Sequence, residues 1–354
     1  MRGGCRRHET VIGKMWERDE MSGTMIGIRG FIMLAAMAVF VASSSSAGAA
    51  DRIRLGLSWL PQAEYGGFYQ AKADGIYERY GLDVEIDPGS PQKNLGQLLA
   101  AGAYDVVLGN SSIVFNANAV GLEFVTAAAF FQKEPTILFA HDDPEIETIA
   151  DLKGHPAAIT NLSVMSFWPT LKKKYGFTDD QIRPYPYSYA FFLSNEKAVQ
   201  QGFLTNDVGQ LKREGIEVKT FLLADNGYNP YGNTVIATRK FAEENADVLQ
   251  RFITATSEGW KAFLHGDSSG AEALILAGNQ DYTPETFEDA KQAILESGIV
   301  EGGDAETGGI GTMTDARWKE FFQTEVEAGN IPDSFDYKSA YTLDFVHPDK
   351  LTKP

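Results

Sequence analysis

The sequence predicts an α/β protein of two lobes that face each other across a cleft. Three features of the chain carry that expectation. Strand-like and helical stretches alternate from Arg52 to Ala140, the alternation restarts near residue 142, and the chain beyond Phe241 is almost wholly helical in pattern. Alternating strands and helices favour parallel pairing with helices packed on the sheet. The restart calls for a second such layer.

Arg52 to Leu57 places Ile53, Leu55 and Leu57 on one face, as a half-buried strand requires. A loop with Pro61 follows, then a helix from Tyr65 or Gly66 to Ala73. Leu82–Ile86 and Asp105–Leu108 read as strands, and Asn94–Ala101 and Ile113–Ala119 as helices. Phe124–Phe130 and Thr136–Ala140 are further strands. In the second unit, Ile149–Leu152 is a short helix closed by Gly154 and Ala157–Thr160 a strand. Val164–Tyr175 is a helix interrupted near Pro169, and Ile182–Tyr187 is extended. Phe192–Gln200 and Gly209–Glu214 read as helices, with a short strand at Phe203–Thr205. Glu217–Leu223 alternates again, and Thr234–Thr238 is a return strand. From Phe241 to Leu264 the apolar residues recur at helical spacing, so one helix with a single buried face is expected, ended by Gly266. Three more helices are expected at Ala271–Ala277, Pro284–Ser297 and Thr314–Gly329. These elements divide the chain into lobe 1 (51–140 with 235–345) and lobe 2 (141–234). Hinges are expected near Phe139–Asp142 and Asn229–Val235.

Residues 1–50 read as a signal peptide. Arg29 precedes an uncharged apolar run from Phe31 to Ala42, and Ala47-Gly48-Ala49 follows as a small-residue cleavage pattern. The run is shorter than the roughly 20 residues a membrane span needs. Cleavage is expected after Ala49 or Ala50, translation from Met1, Met21 or Met25, and residence in the periplasm. Cys5 is the sole cysteine, so the exported part would have no disulfide, thiol nucleophile or thiolate metal site. Residues 1–50 hold six of the 31 basic and four of the 48 acidic side chains. The remainder therefore carries 25 and 44, a net of −19. That surface disfavours nucleic acid and anionic membrane, both of which call for basic patches.

No catalytic constellation emerges. His141, His155, His265 and His347 lack metal-ligand spacing, and neither a Gly-x-Ser-x-Gly nor a phosphate-loop motif is present. No metal, cofactor or catalytic residue is expected. In open α/β sheets a ligand sits beyond the carboxyl ends of the strands. The loops expected there carry Trp59, Glu64 and Tyr65; Asn110, Ser111 and Ser112; Asn161 and Ser163; and Tyr185, Tyr187 and Tyr189. Asp207 and Asp225 lie near expected strand ends, and Tyr228 and Tyr231 where the chain recrosses between the lobes. Aromatic rings offer stacking faces to a flat ligand. The Asn110-Ser111-Ser112 run offers free N–H groups and hydroxyls, or simply caps a helix. Acids prevail in these loops, with Lys133 the nearest base and no arginine. A neutral or amine-bearing ring is favoured over a sulfonate or nitrate.

Leu57-Ser58-Trp59-Leu60-Pro61-Gln62-Ala63-Glu64-Tyr65-Gly66-Gly67-Phe68-Tyr69 resembles the opening of the NMT1/THI5-like binding proteins, which include binders of thiamine pyrimidine precursors. The likeness continues at Ala73-Asp74-Gly75-Ile76-Tyr77, Gly81-Leu82-Asp83-Val84 and Pro88-Gly89. It resumes at Asp151-Leu152-Lys153-Gly154 and Gly202-Phe203-Leu204-Thr205. The resemblance implies a type II periplasmic binding protein, with two lobes joined by two crossing strands. It also implies a monomer that serves an inner-membrane ABC permease and its ATPase. It implies pocket roles for Trp59 and Tyr65, and for Asp207 as the acid that meets a pyrimidine amino group. The family pattern Thr-Ser-Glu-Pro is here Thr205-Asn206-Asp207-Val208, so riboflavin, nitrate and alkanesulfonate remain open as ligands. The fold also includes a fungal thiamine-pyrimidine synthase, which uses a histidine of the first loop and a cysteine-rich motif. Tyr65 at that position and the lack of cysteine disfavour an enzyme.

Overall fold

The computed structural model describes residues 49–90 and 92–354. The expectations about signal, start codon and Cys5 fall outside them. Ten strands and fourteen helices follow in order among the described residues. They begin β1 (Asp51–Gly56), α1 (Gly66–Ala73), α2 (Ile76–Arg79), β2 (Leu82–Asp87), α3 (Leu95–Ala100), β3 (Val106–Gly109), α4 (Ser111–Ala119), β4 (Phe124–Phe131) and β5 (Thr136–His141). Next come β6 (Ala157–Ile159), α5 (Asn161–Val164), α6 (Phe167–Tyr175), β7 (Ile182–Pro184), α7 (Ala190–Leu193), β8 (Val199–Phe203), α8 (Asp207–Arg213), β9 (Val218–Leu222) and β10 (Gly232–Thr238). The last are α9 (Arg239–Glu244), α10 (Ala246–His265), α11 (Ser269–Gly278), α12 (Pro284–Ser297), α13 (Ala305–Gly308) and α14 (Asp315–Ala328).

The strands form two five-stranded sheets, ordered β2-β1-β3-β10-β4 and β7-β6-β8-β5-β9. The two orders are the same pattern: second, first, third, an antiparallel strand, fourth. In the first sheet β10 runs antiparallel to β3 and β4, and in the second β5 runs antiparallel to β8 and β9. The remaining pairs, β1 with β2 and β3, and β6 with β7 and β8, are parallel. Each sheet is the open kind whose loops gather at the carboxyl ends of its parallel strands.

The first expected hinge shifts, and the second overlaps the observed crossing. β5 carries Phe139, Ala140 and His141 and pairs on both sides within the second sheet. The first crossing is therefore 132–135. Pro135 lacks the N–H that would extend a ladder, so the break falls there. The second crossing ends at Gly232, where β10 begins. Two side chains tie the crossings together. Lys133 Nζ donates to Asp225 Oδ1 at 2.6 Å. Arg317 of α14 donates from one nitrogen to the carbonyls of Gln132 (2.6 Å) and Asn229 (3.4 Å), with its guanidinium over the Tyr231 ring.

Two further expectations fail locally. Phe192–Gln200 is not one helix: α7 stops at Leu193, a turn follows, and Val199–Phe203 pairs with β5 and β6 as β8. The helix expected from Phe241 is broken at Asn245, whose extra turn separates α9 from α10.

Packing of α10 on α1 anchors the first lobe. The face of α10 formed by Leu249, Phe252, Ile253, Trp260 and Phe263 is buried, as its spacing requires. The helices approach so closely that a Cβ on Gly259 would lie 2.4 Å from the Gly67 carbonyl and 2.6 Å from the Ala71 Cβ. Neither neighbour is a flexible side-chain tip, so Gly259→Ala forces the helices apart. Overpacking of this kind costs about 1–3 kcal/mol. A lower midpoint in urea with an unchanged slope is the expected result.

Candidate ligand-binding cleft

The cleft lies between the first-lobe loop after β1 and the second-lobe loops after β7 and β8, with the two crossings as its floor. Trp59 and Tyr187 face each other across it. Their ring centroids are 6.2 Å apart and their planes 11° from parallel, one ring from each lobe. Tyr187 is 61% exposed. Its φ of 52° is a left-handed conformation that side-chain-bearing residues rarely hold. Residues 185–189 are therefore not the extended run that alternating tyrosines implied. Tyr185 meets Tyr187 edge-on at 5.1 Å, while Tyr189 turns away to donate to Asp207 Oδ1 at 2.7 Å.

Glu64 and Asn206 make the principal polar bridge between the lobes. Glu64 is buried, and its Oε1 accepts from the Thr205 hydroxyl and the Asn206 amide, both of the second lobe. Its Oε2 has no partner. Asn206 Nδ2 also donates to Gln62 Oε1 at 3.2 Å, and its Oδ1 accepts from the Tyr282 hydroxyl at 2.8 Å. Asn233 of β10, itself at a φ of 41°, donates to the Glu64 carbonyl. Burial raises the Glu64 carboxyl above its ordinary range, and the Thr205 and Asn206 hydrogen bonds oppose that rise. At the outer edge of this bridge, Arg213 of α8 pairs with Asp289 of α12 and donates to Thr286 Oγ1 at 2.8 Å. Thr205, Val208, Arg213, Asp289 and Gln292 line a groove of about 770 Å³ at this outer edge, and neither Trp59 nor Tyr187 lines it.

Several residues expected to face a ligand are committed elsewhere. Both oxygens of Asp207 are occupied, Oδ1 by Tyr189 and Oδ2 by the Phe203 N–H at 2.6 Å. Asp207 therefore braces the β8–α8 turn instead of offering a free acceptor. Tyr228 is a hinge plug: it is buried, its hydroxyl meets Ser112 Oγ at 2.6 Å, and its ring packs between Phe167 and Phe321. Asn110 caps α4 through its Oδ1, and Ser111 Oγ accepts from the Tyr231 N–H, fixing the second crossing to the first sheet. Ser163 Oγ meets Thr160 Oγ1 at 2.8 Å within its own turn, and Asn161 is exposed beside it. Asp225 is taken up by Lys133 at the surface. Tyr65 is buried, with its hydroxyl 2.8 Å from Ser58 Oγ.

Glu134, Thr205, Asn206, Asn233 and Tyr282 were not singled out from the sequence. Among the described residues no group of three or more His, Cys, Asp or Glu side chains is placed to hold a metal ion. No helix there is long and apolar enough to cross a membrane.

The family described as NMT1/THI5 like matches residues 62–268, more than half of the chain. The chain belongs to the NMT1/THI5-like family. Riboflavin-binding protein RibY of Chloroflexus aurantiacus is 23% identical to it over 216 residues, 59% of this chain and 61% of that protein. The matched part thus spans less than two thirds of that relative. A formylaminopyrimidine-binding protein of Halalkalibacterium halodurans is 24% identical over 283 residues, 75% of this chain and 84% of the relative. The periplasmic aliphatic sulphonate binding protein SsuA of Escherichia coli superposes with a TM-score of 0.60 at 20% identity, covering 82% of this chain and 91% of its own. This NMT1/THI5-like chain therefore has the periplasmic binding protein fold, consistent with its two matching sheets. The same fold carries the desulfurization enzyme DSZB, at a TM-score of 0.56 and 11% identity. Fold alone does not divide binding from catalysis here.

Proposed function

We propose that the protein is the extracytoplasmic solute-binding component of an ABC importer. It captures a small flat heterocycle between its lobes, as a monomer, and delivers it to a permease driven by an ATPase. The observation that carries this reading is the near-parallel pair Trp59 and Tyr187, one ring on each lobe. Carbon contacts form at about 3.5–4.0 Å, so a sandwiched ring needs about 7 Å between the flanking faces. The lobes open until the two faces reach that spacing, and the ring enters between them. The Glu64–Asn206 bridge then draws the lobes together around it. Among the described residues no lysine or arginine is within hydrogen-bonding distance of Glu64, which disfavours a sulfonate or nitrate. The names of the two relatives, a riboflavin binder and a formylaminopyrimidine binder, both describe flat nitrogen heterocycles.

The test is calorimetric titration of protein stripped of ligand by unfolding and refolding. Formylaminopyrimidine, riboflavin and an alkanesulfonate are the three probes. Binding of one of the two heterocycles and none of the sulfonate is expected. Tight sulfonate binding with no heterocycle binding overturns the ligand class. Uptake of the bound probe by vesicles holding the cognate permease and ATPase tests the transport role, and fractionation of the native cell tests the periplasmic location.

A further inference from the structure

The first crossing carries a buried carboxyl with a single side-chain partner among the described residues. Glu134 is 8% exposed. Its one hydrogen bond comes from the Thr136 hydroxyl to Oε1, at 3.3 Å. Oε2 lies against the backbone of the second crossing, so close to Gly232 that a Cβ there would stand 2.5 Å from it. The bare glycine leaves room for the carboxyl on the cleft floor.

The charged and titratable groups around it are all otherwise engaged. Lys133 pairs with Asp225, and Arg317 spends its contacts on the Gln132 and Asn229 carbonyls and the Tyr231 ring. The Tyr65 and Tyr228 phenols sense the Glu134 charge, and their hydroxyls are bonded to Ser58 and Ser112. Glu64, beside Tyr65, is bonded across the lobes to Thr205 and Asn206. Among the described residues no cation pairs with Glu134, and a buried carboxylate without one takes up a proton instead. Burial accordingly pushes it up to about 7.

We infer that Glu134 reads the ligand in its neutral acid form, and that it selects a heterocycle edge carrying a hydrogen-bond donor next to an acceptor. This rests on the cleft being the ligand site. With Thr136 donating to Oε1, the proton sits on Oε2. The O–H donates to a ring nitrogen or carbonyl, and Oε1 accepts from the neighbouring N–H through its remaining lone pair. An aminopyrimidine presents such an edge in its ring nitrogen and exocyclic amine, and a flavin in its imide. A sulfonate offers acceptors alone. The bound complex holds one proton that the ionised carboxyl lacks. Affinity is therefore steady below about pH 7 and falls about tenfold per pH unit above it.

Formylaminopyrimidine and riboflavin, titrated from pH 6 to pH 9, are the probes. Glu134→Gln also presents a donor beside an acceptor, and it does not titrate. It is expected to bind within a few-fold of wild type at pH 6 and to stay level to pH 9. Glu134→Ala is expected to lose about tenfold to a hundredfold at pH 6. Glu325→Gln, which removes a buried carboxyl on α14 that is likewise raised to about 7 but lies outside the cleft, is the control and keeps the wild-type decline. A level wild-type profile overturns the inference, as does a decline that persists in Glu134→Gln or unchanged affinity in Glu134→Ala. If those occur while Trp59→Ala still weakens binding, the heterocycle reading stands and the Glu134 assignment alone fails. Failure of both probes to bind wild type overturns both.

Discussion

Trp59→Ala combined with Tyr187→Ala is expected to weaken heterocycle binding by about a hundred- to a thousandfold. Removing one stacking aromatic costs about 1–3 kcal/mol per ring contacted, and here two rings close on the same ligand. Because both touch one solute, the single changes are expected to couple, the double variant losing less than their sum. The two sites differ in their effect on the fold. Tyr187 is mostly exposed and buries little, so its removal leaves the melting temperature nearly unchanged. Tyr187→Gly goes further: its φ of 52° suits glycine, and relief of that strain raises stability while affinity falls. Opposite signs in the two measurements mark a residue held in a costly shape for the ligand's sake. A parallel loss of both makes it a packing residue instead.

Glu325→Gln is expected to make the protein more stable at pH 8, by about 3 kcal/mol, and to leave it nearly unchanged at pH 4.5. Glu325 sits on α14 with 1% of its surface exposed, and its Oε1 is unpartnered. Asn330 donates to the other oxygen at 3.2 Å. Burial drives the carboxyl up to about 7 from an ordinary 4.5. Between those values the folded chain holds a proton that the unfolded chain has released. Stability from this group is therefore complete below about pH 4.5 and is lost as pH rises through about 7. Multiplying the interval by 1.36 kcal/mol gives the size of the effect, about 3 kcal/mol. Urea unfolding at both pH values reads it directly. Equal stability of variant and wild type at pH 8 rejects the account. Glu134 behaves alike, so the Glu325→Gln variant retains a residual slope with pH.

Most strands and helices were legible because they follow from local periodicity. Ile53, Leu55 and Leu57 alternate, and the buried face of α10 repeats at helical spacing. The errors fell where partners decide. Val199–Phe203 lies in a stretch with no clean alternation and becomes a strand only because β5 and β6 flank it. The break between β4 and β5 was written in Pro135, but the lobe that β5 joins is set by pairing with β8 and β9, far along the chain. Within the cleft, Trp59 and Tyr187 were found as aromatics in polar loops. Asp207 looks free in the sequence because its two partners, Tyr189 and the Phe203 N–H, are supplied by the folded turn. Glu134, between a lysine and a proline, reads as an ordinary surface charge. Its burial arises only where Gly232 and Thr136 close over it.

The strand order also sets a timetable for a chain made from one end. All five strands of the second sheet lie between Thr136 and Leu222, so that lobe has every strand it needs once the ribosome has passed them. The first sheet does not. Its fourth strand, Phe124–Phe131, is buried at all eight positions and meets the rest of the sheet only through β10, which begins at Gly232. Until β10 emerges, that apolar segment has no ladder to join and stands as an open edge to any neighbouring chain. The lobe begun first is thus the last to close, and its sheet stays incomplete through the whole synthesis of the second lobe.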